Sequence, residues 1–168
     1  IPLVADVRDT DAIDAAVAVH GIDVLINNAG VLPSRGAFQD SSLDDIDQMV
    51  EVNLKAPLRL TRSLLPSMIE RKRGHIFFVG SSAGRTPHPG AAAYGATKAG
   101  ISLFSDALRA DLVGTGVRVT EIAPGRVETD LYRTALGERA QDELYRDFAP
   151  IRAAEIAELI EAALAMPL

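Results

Sequence analysis

Two short runs in this chain, Val24-Leu-Ile26 and Ile76-Phe-Phe-Val79, are apolar without interruption. They narrow the possible folds more than any other feature. A strand with one wet face alternates apolar and polar residues, because successive side chains point to opposite faces. An unbroken run needs cover on both faces, which is the situation of a parallel sheet sandwiched by helices. Four candidate strands, at 2–5, Val24–Asn27, 75–79 and 118–123, alternate with helical patterns at 11–19, 42–71, 94–114 and 153–165. This alternation predicts a single α/β domain whose parallel sheet is wound by helices on both faces. Ser41 or Ser42 can cap the second helix, with Asp44 and Asp45 in its first turn, where the helix dipole favours acids. Pro57 and Pro66 predict a bend or break in that helix. In the third helix, Ile101, Phe104, Leu108 and Leu112 form one apolar stripe.

Composition removes several functions. The chain has 168 residues, enough for one core, with 48% apolar and 24% charged residues. The net charge is −6 and the basic residues are scattered, which is no footprint for nucleic acid. With no cysteine there is no disulfide, no thiol nucleophile and no cysteine–zinc site. His20, His75 and His88 are far apart and form no metal motif. No apolar run approaches the ~20 residues of a membrane span. A cytoplasmic protein acting on a small molecule is the expectation.

One tetrad suggests chemistry. Tyr94 and Lys98 are four apart, thirteen and seventeen residues after Ser81, and positions i and i+4 share a helix face. A Lys charge about 5 Å from a phenol, at an effective dielectric of ~20, is worth roughly 3 kcal/mol. That would lower the Tyr pKa by about two units, towards acid–base use. Alone, such a short pattern is also what an ordinary helix surface carries by chance.

Its neighbours add to it. Asn27-Asn-Ala-Gly30 ends the second run, Asn53 lies in the long helix, Gly80-Ser-Ser-Ala-Gly84 ends the third run, and Pro124-Gly-Arg-Val-Glu-Thr129 follows the fourth. With Tyr94 and Lys98, these motifs in this order resemble the short-chain dehydrogenase/reductase family over essentially the whole chain. The resemblance implies a Rossmann-like doubly wound sheet and a NAD(P)-dependent oxidoreductase, with NADP slightly favoured. It would interconvert a secondary alcohol and a carbonyl. Ligands in such sheets bind beyond the carboxyl ends of the strands, where all these motifs fall. By resemblance, Tyr94 is the acid–base, Lys98 tunes it and holds the nicotinamide ribose, Ser81 binds the substrate oxygen, and Asn53 holds a relay water. Asn27, Ala29 and Gly30 line the adenosine side of the cofactor. Pro124, Gly125, Val127 and Thr129 meet the nicotinamide, and Asp6 and Val7 meet the adenine. For Asp6, a plain turn or helix cap is an equal alternative. Ser82 is the competing serine, and His88, between two prolines, is a turn residue that could line the substrate mouth.

The resemblance carries further expectations. Residues 130–149 read as a substrate-side flap. Glu128-Thr-Asp-Leu-Tyr132 looks most like members acting on 3-hydroxy acids. The family's glycine-rich phosphate loop, T-G-x-x-x-G-x-G, is not among these residues, and the chain opens at what corresponds to the third strand. The native protein is therefore expected to extend further, by roughly 50 or more residues before Ile1 and by a strand after Leu168. A homodimer or homotetramer through helices 42–71 and 94–114 is expected. A non-catalytic cofactor sensor or scaffold of the same fold is the alternative.

Overall fold

The structure, a computed structural model, describes residues 2, 4–17, 21–138 and 149–167. Its centre is a parallel sheet of β1 (Val24–Asn27), β2 (Gly74–Val79) and β3 (Val117–Ile122), in that order. Leu25 lies opposite Ile76, and Ile76 opposite Val119. Ile76, Phe77 and Phe78 are completely buried, as their unbroken run requires. On one face, Ile76 and Phe78 join Met68, Ile101, Leu108 and Val119 in the main core. Those partners come from α3 (Ala56–Glu70), β3 and α4 (Ala92–Asp111).

On the other face lies α6 (Ala153–Ala165), but Val24 and Ile26 of β1 stay 38% and 44% exposed, so the cover expected over their run is incomplete. Arg118 of β3 donates to the Met166 carbonyl at 2.8 Å, satisfying the end of that helix with a cation where its dipole favours one. His75, on the same face, stacks on Phe77 and hydrogen-bonds Thr120 at 2.8 Å. The helical expectation for 153–165 is met, and helices flank the sheet on both sides. A second, two-stranded parallel ladder, β4 (Val127–Glu128) with β5 (Ile151–Arg152), was not legible in the sequence.

Two expectations need correction. The run at 2–5 forms no strand among its described residues. A strand exists only against a partner, and β1 pairs with β2 alone. The segment instead turns at Asp6, whose carbonyl accepts from Asp9 N at 2.9 Å, and leads into α1 (Thr10–Val17). The long helix breaks only once. The α2 helix (Leu43–Val50), capped by Ser42 through Asp44 N, passes through a π turn at Glu51–Lys55 into α3. Pro57 opens α3, but Pro66 sits inside it. Pro66 and Arg62 are both exposed, so the Arg62 carbonyl that Pro66 cannot pair can meet water.

His20 and the end of the first predicted helix lie outside the described residues, as does 139–148 of the predicted flap. Residues 130–136 of that flap form α5 (Asp130–Leu136). Among the described residues, no helix is long and apolar enough to cross a membrane.

Candidate active site

The loops after β1, β2 and β3 meet at the carboxyl edge of the sheet, and Ser81, Tyr94 and Lys98 converge there. Ser81 lies two residues beyond the end of β2, after Gly80, and is 5% exposed. Its Oγ accepts from Ala83 N at 3.1 Å, starting the short 3-10 turn Ser82–Gly84. That turn packs on α4, and Gly84 makes the approach possible. A Cβ there would lie 2.7 Å from the Lys98 carbonyl carbon and 2.8 Å from its oxygen. Tyr94 and Lys98, in the first two turns of α4, are 6% and 5% exposed. The Lys98 Nζ stands 5.8 Å from the Tyr94 ring centre and donates to the Val79 carbonyl at 2.9 Å.

Asn53 sits in the π turn and is 1% exposed. Its carboxamide pairs with the backbone of Val31, accepting from N at 2.7 Å and donating to O at 2.9 Å. It also donates to Thr97 Oγ1 at 3.4 Å, and Thr97 donates to the Tyr94 carbonyl at 2.8 Å. So the side chain pins the loop after β1 to α4. The backbone carbonyl of Asn53 is a different matter. In an α-helix its partner would be residue 57, which is a proline without an N–H. The π turn, a feature common at functional sites, coincides with that lost partner.

Burial, rather than the lysine charge, dominates the electrostatics. The Tyr94 phenol is pushed up to about 12 by burial and by the neighbouring Tyr132, against a hydrogen bond with Ser81 that pulls it down. Burial likewise pushes Lys98 down to about 8, against an upward pull from Glu121. The sequence argument put Tyr94 about two units below its ordinary value, because it set the lysine charge beside the phenol and left desolvation out. In this geometry Tyr94 is a neutral phenol at pH 7, a proton donor.

Glu121 is a residue that sequence reasoning missed. Its side chain is 3% exposed at the end of β3. Ser102, one turn beyond Lys98 on α4, and Arg85 both hydrogen-bond to it. A lone acid in a strand pattern carries no sequence signal of burial.

Two cavities meet at this wall. The larger, about 860 Å³, is lined by Ala29, Gly30, Lys98, Pro124, Val127 and Thr129 among others. The smaller, about 380 Å³, is lined by Arg35, Ser82, His88, Ala91, Arg126 and Ile151 among others. Ser81, Tyr94, Leu32, Gly125 and Tyr132 line both. The predicted residues Ala29, Gly30, Pro124, Gly125, Val127 and Thr129 thus share one cavity with Lys98. Ser82 reaches only the smaller one, which sets Ser81 apart from its competitor. His88 is exposed, closes a turn by accepting from Ala91 N at 3.2 Å, and also lines the smaller cavity.

Three predicted contacts lie elsewhere. Asn27, the last residue of β1, points into the interior and lines neither cavity; Asn28 lines the larger one. The period of two explains this, because neighbouring strand-end residues face opposite ways. Asp6 and Val7 also line neither cavity. Asp6 is bound to Arg8 at 2.6 Å, which with its backbone bonds holds its carboxyl down at about 2. The turn reading of Asp6 describes its geometry.

Comparison with known proteins identifies the family of the chain. The family model for short chain dehydrogenase matches residues 1–139. An uncharacterized short-chain type dehydrogenase/reductase of Sinorhizobium fredii is 52% identical over 168 residues, covering 99% of this chain and 68% of that protein. Sulfoacetaldehyde reductase 2 of Chromohalobacter salexigens is 42% identical over 165 residues, covering 94% of this chain and 66% of that protein. A closed form of serine dehydrogenase complexed with NADP+ superposes with a TM-score of 0.90 at 36% identity, covering 96% of this chain and 68% of that one. The chain therefore spans about two thirds of the length of these relatives.

Proposed function

The chain belongs to the short-chain dehydrogenase family, and from that premise we propose that the whole protein is an oxidoreductase. It interconverts a hydroxyl and a carbonyl on a short acidic substrate, such as a 3-hydroxy acid, with NADP favoured over NAD. The observation that carries this reading is the shared wall. Ser81 and Tyr94 are buried side by side where the two cavities meet, with Lys98 behind them in the larger one. The NADP+ complex of serine dehydrogenase and the sulfoacetaldehyde reductase support the cofactor and the short polar substrate.

The larger cavity fits the nicotinamide end of such a cofactor. The Cβ that Gly30 lacks would lie 3.5 Å from Asn53 Oδ1 and 3.6 Å from Lys98 Nζ, so its absence leaves a polar cradle beside both. Lys98 and the backbone at Ala29 and Gly30 would hold the ribose, while Pro124, Gly125, Val127 and Thr129 would flank the ring. When bound, the cofactor supplies or accepts the hydride at the carbonyl carbon.

The chain's own residues handle the oxygen. Tyr94 delivers its proton to the substrate oxygen in reduction and takes it back in oxidation. Ser81 donates a hydrogen bond to that oxygen as charge develops on it. The ammonium of Lys98 favours the phenolate that Tyr94 becomes after giving up its proton. The Asn53 side chain is committed to Val31 and Thr97. A relay water would therefore have to be held by its main-chain carbonyl. The protein acts as a homo-oligomer in the cytoplasm. Leu103 of α4 and Val113 just beyond its end, 73% and 81% exposed, are apolar surface suited to a second copy.

The test is absorbance of the reduced nicotinamide during incubation of the purified full-length protein with NADPH or NADH and a panel of short oxo acids, aldehydes and ketones. Turnover that disappears in Tyr94→Phe supports the reading. No turnover with any substrate, together with no shift in melting on adding either cofactor, would leave the non-catalytic scaffold.

A further inference from the structure

One charged side chain beside the site takes no part in binding or in proton transfer. Glu121, next to last in β3, has a side chain 3% exposed and lines neither cavity. A buried carboxylate is costly unless its oxygens are paired. Both are paired here. Ser102 Oγ donates to Oε1 at 2.5 Å, and Arg85 Nη2 donates to Oε2. The acid therefore meets no substrate, and any part it has in the reaction runs through a neighbour.

That neighbour is Lys98. Lys98 and Ser102 are one turn apart on α4 and share a face. The Lys98 Nζ donates to the Val79 carbonyl at 2.9 Å, and Gly80 continues that peptide. A Cβ on Gly80 would lie 3.1 Å from Glu121 Cδ and 3.2 Å from its Cγ, so the acid side chain lies against the Gly80 α-carbon. Gly80 N donates to the Ile122 carbonyl at 2.8 Å, which fixes this backbone between β2 and β3. Ammonium and carboxylate thus flank one fixed stretch, Val79–Gly80, from α4 and from β3. Opposite charges in such an interior attract more strongly than across water. Burial pushes Lys98 down to about 8, and Glu121 pulls it back up. Tyr94 on the same helix and Asn53 of the π turn also face Lys98, and both are uncharged at pH 7. Arg85 stands behind Glu121 and is 57% exposed. Across the larger cavity stand Tyr132 and Asp130, the latter 86% exposed and paired with Arg133.

We propose that Glu121 is a positioning residue for the reaction: clamped by Ser102 and Arg85 against Gly80, its carboxylate keeps Lys98 an ammonium at the Val79 carbonyl, beside Tyr94. The proposal rests on the reading of Tyr94 as the acid–base and Lys98 as its cation. Burial alone drives a lysine towards the neutral amine. A neutral amine would neither favour the Tyr94 phenolate nor bring a charge to a ribose hydroxyl. Arg85 moderates the effect, because its guanidinium offsets part of the Glu121 charge while being itself screened by water.

The experiment titrates Lys98 directly. The full-length protein is isotope-labelled at the lysine carbon next to Nζ, NMR follows that carbon against pH, and the Lys98 signal is the one lost in Lys98→Met. In Glu121→Gln, which keeps the bond to Ser102 but not the charge, the Lys98 midpoint should fall by about one unit, the low end of what a nearby opposite charge does. The kcat/KM for NADPH-dependent carbonyl reduction should then fall about fivefold at pH 8 and recover towards wild type at pH 6, where the ammonium is restored. Ser102→Ala, which removes the bond and keeps the charge, should leave the midpoint within about 0.3 units. A merely structural tie between α4 and β3 predicts instead that both variants lose activity alike at every pH, with the midpoint in place. Arg85→Gln, on an exposed side chain, should move the midpoint up by about half a unit, and it carries the test alone if Glu121→Gln does not fold. A midpoint unmoved in Glu121→Gln, or one that fails to rise in Arg85→Gln, overturns the role of Glu121 and leaves the roles of Tyr94 and Lys98 to the turnover of the wild type. Midpoints that move as expected in a protein that turns over no substrate overturn the positioning role together with the catalytic reading beneath it.

Discussion

The two cavities share Ser81 and Tyr94 but are made differently. The larger is lined by small residues at the strand ends, Ala29, Gly30, Pro124 and Gly125, and by the bulky Leu131, Ile156 and Ile160, with Lys98 as its cation. The smaller is walled by side chains that differ from one another, including Arg35, His88 and Arg126. Much of the first comes from contiguous motifs at strand ends, joined by Ile156 and Ile160 of α6. The second is assembled from positions 35, 88, 126 and 132, which only the topology brings together. The strand-end part of the larger cavity is written in motifs, while the lining of the smaller one is written in none.

The strongest test of this division is the wall itself. Tyr94→Phe should lower kcat by about 10²–10⁴-fold, the usual worth of a positioned general acid–base. Cofactor and substrate affinity should change only a few-fold, because the ring that lines both cavities remains. If binding in either cavity collapses as well, Tyr94 is a structural partition rather than a reacting group. Ser81→Ala should follow, with a loss in kcat of roughly 10–100-fold from one hydrogen bond to a developing charge. Ser82→Ala, which lies only on the smaller side, should stay within a few-fold in steady-state kinetics.

Gly84→Ala sharpens the comparison from behind. Its Cβ would meet the Lys98 backbone at 2.7 Å, so α4 or the Ser82–Gly84 turn must move. Thermal unfolding should show about 1–3 kcal/mol lost to overpacking. The KM for NADPH should rise more than that for the substrate, because Lys98 lines only the larger cavity. Equal shifts in both constants would mean that the two sides are not separable.

The same contrast explains what could be read from the sequence. The unbroken runs at Val24 and Ile76 specified parallel strands, of which the second is buried while Val24 and Ile26 of the first stay exposed, and the stripe from Ile101 to Leu112 specified α4. These signals are local. The run at 2–5 had the same local signal and no strand results, because pairing depends on a neighbour rather than on composition. Pro57 marked the break beside Asn53, but a proline does not say which widened turn will absorb it, and α3 runs on through Pro66. At the site, Ser81, Tyr94 and Lys98 were legible as a spaced motif. Their electrostatics were not, since spacing gives a charge–charge term and only burial gives the larger desolvation term. Glu121 was hidden for the same reason.

Lys98 offers the last and smallest test, and its sign separates function from stability. Its pKa falls from 10.5 to about 8 on folding, so between those values the unfolded chain holds the proton and the native state does not. Stability therefore rises as pH goes from about 8 towards 10.5, and below 8 the buried charge weakens the fold. Tyr94 has the opposite sign, shifted from 10 to about 12, so its contribution falls only above pH 10. The window from pH 8 to 10 isolates the lysine among this pair. Lys98→Met should flatten the melting temperature across that window. It should also raise stability at pH 7 by on the order of 1–2 kcal/mol, the relief of a desolvated charge less the lost bond to Val79. Turnover should fall at the same time. A variant that is both less active and less stable at pH 7 would show instead that the Nζ–Val79 bond holds the wall together and that the ammonium is no burden to the fold.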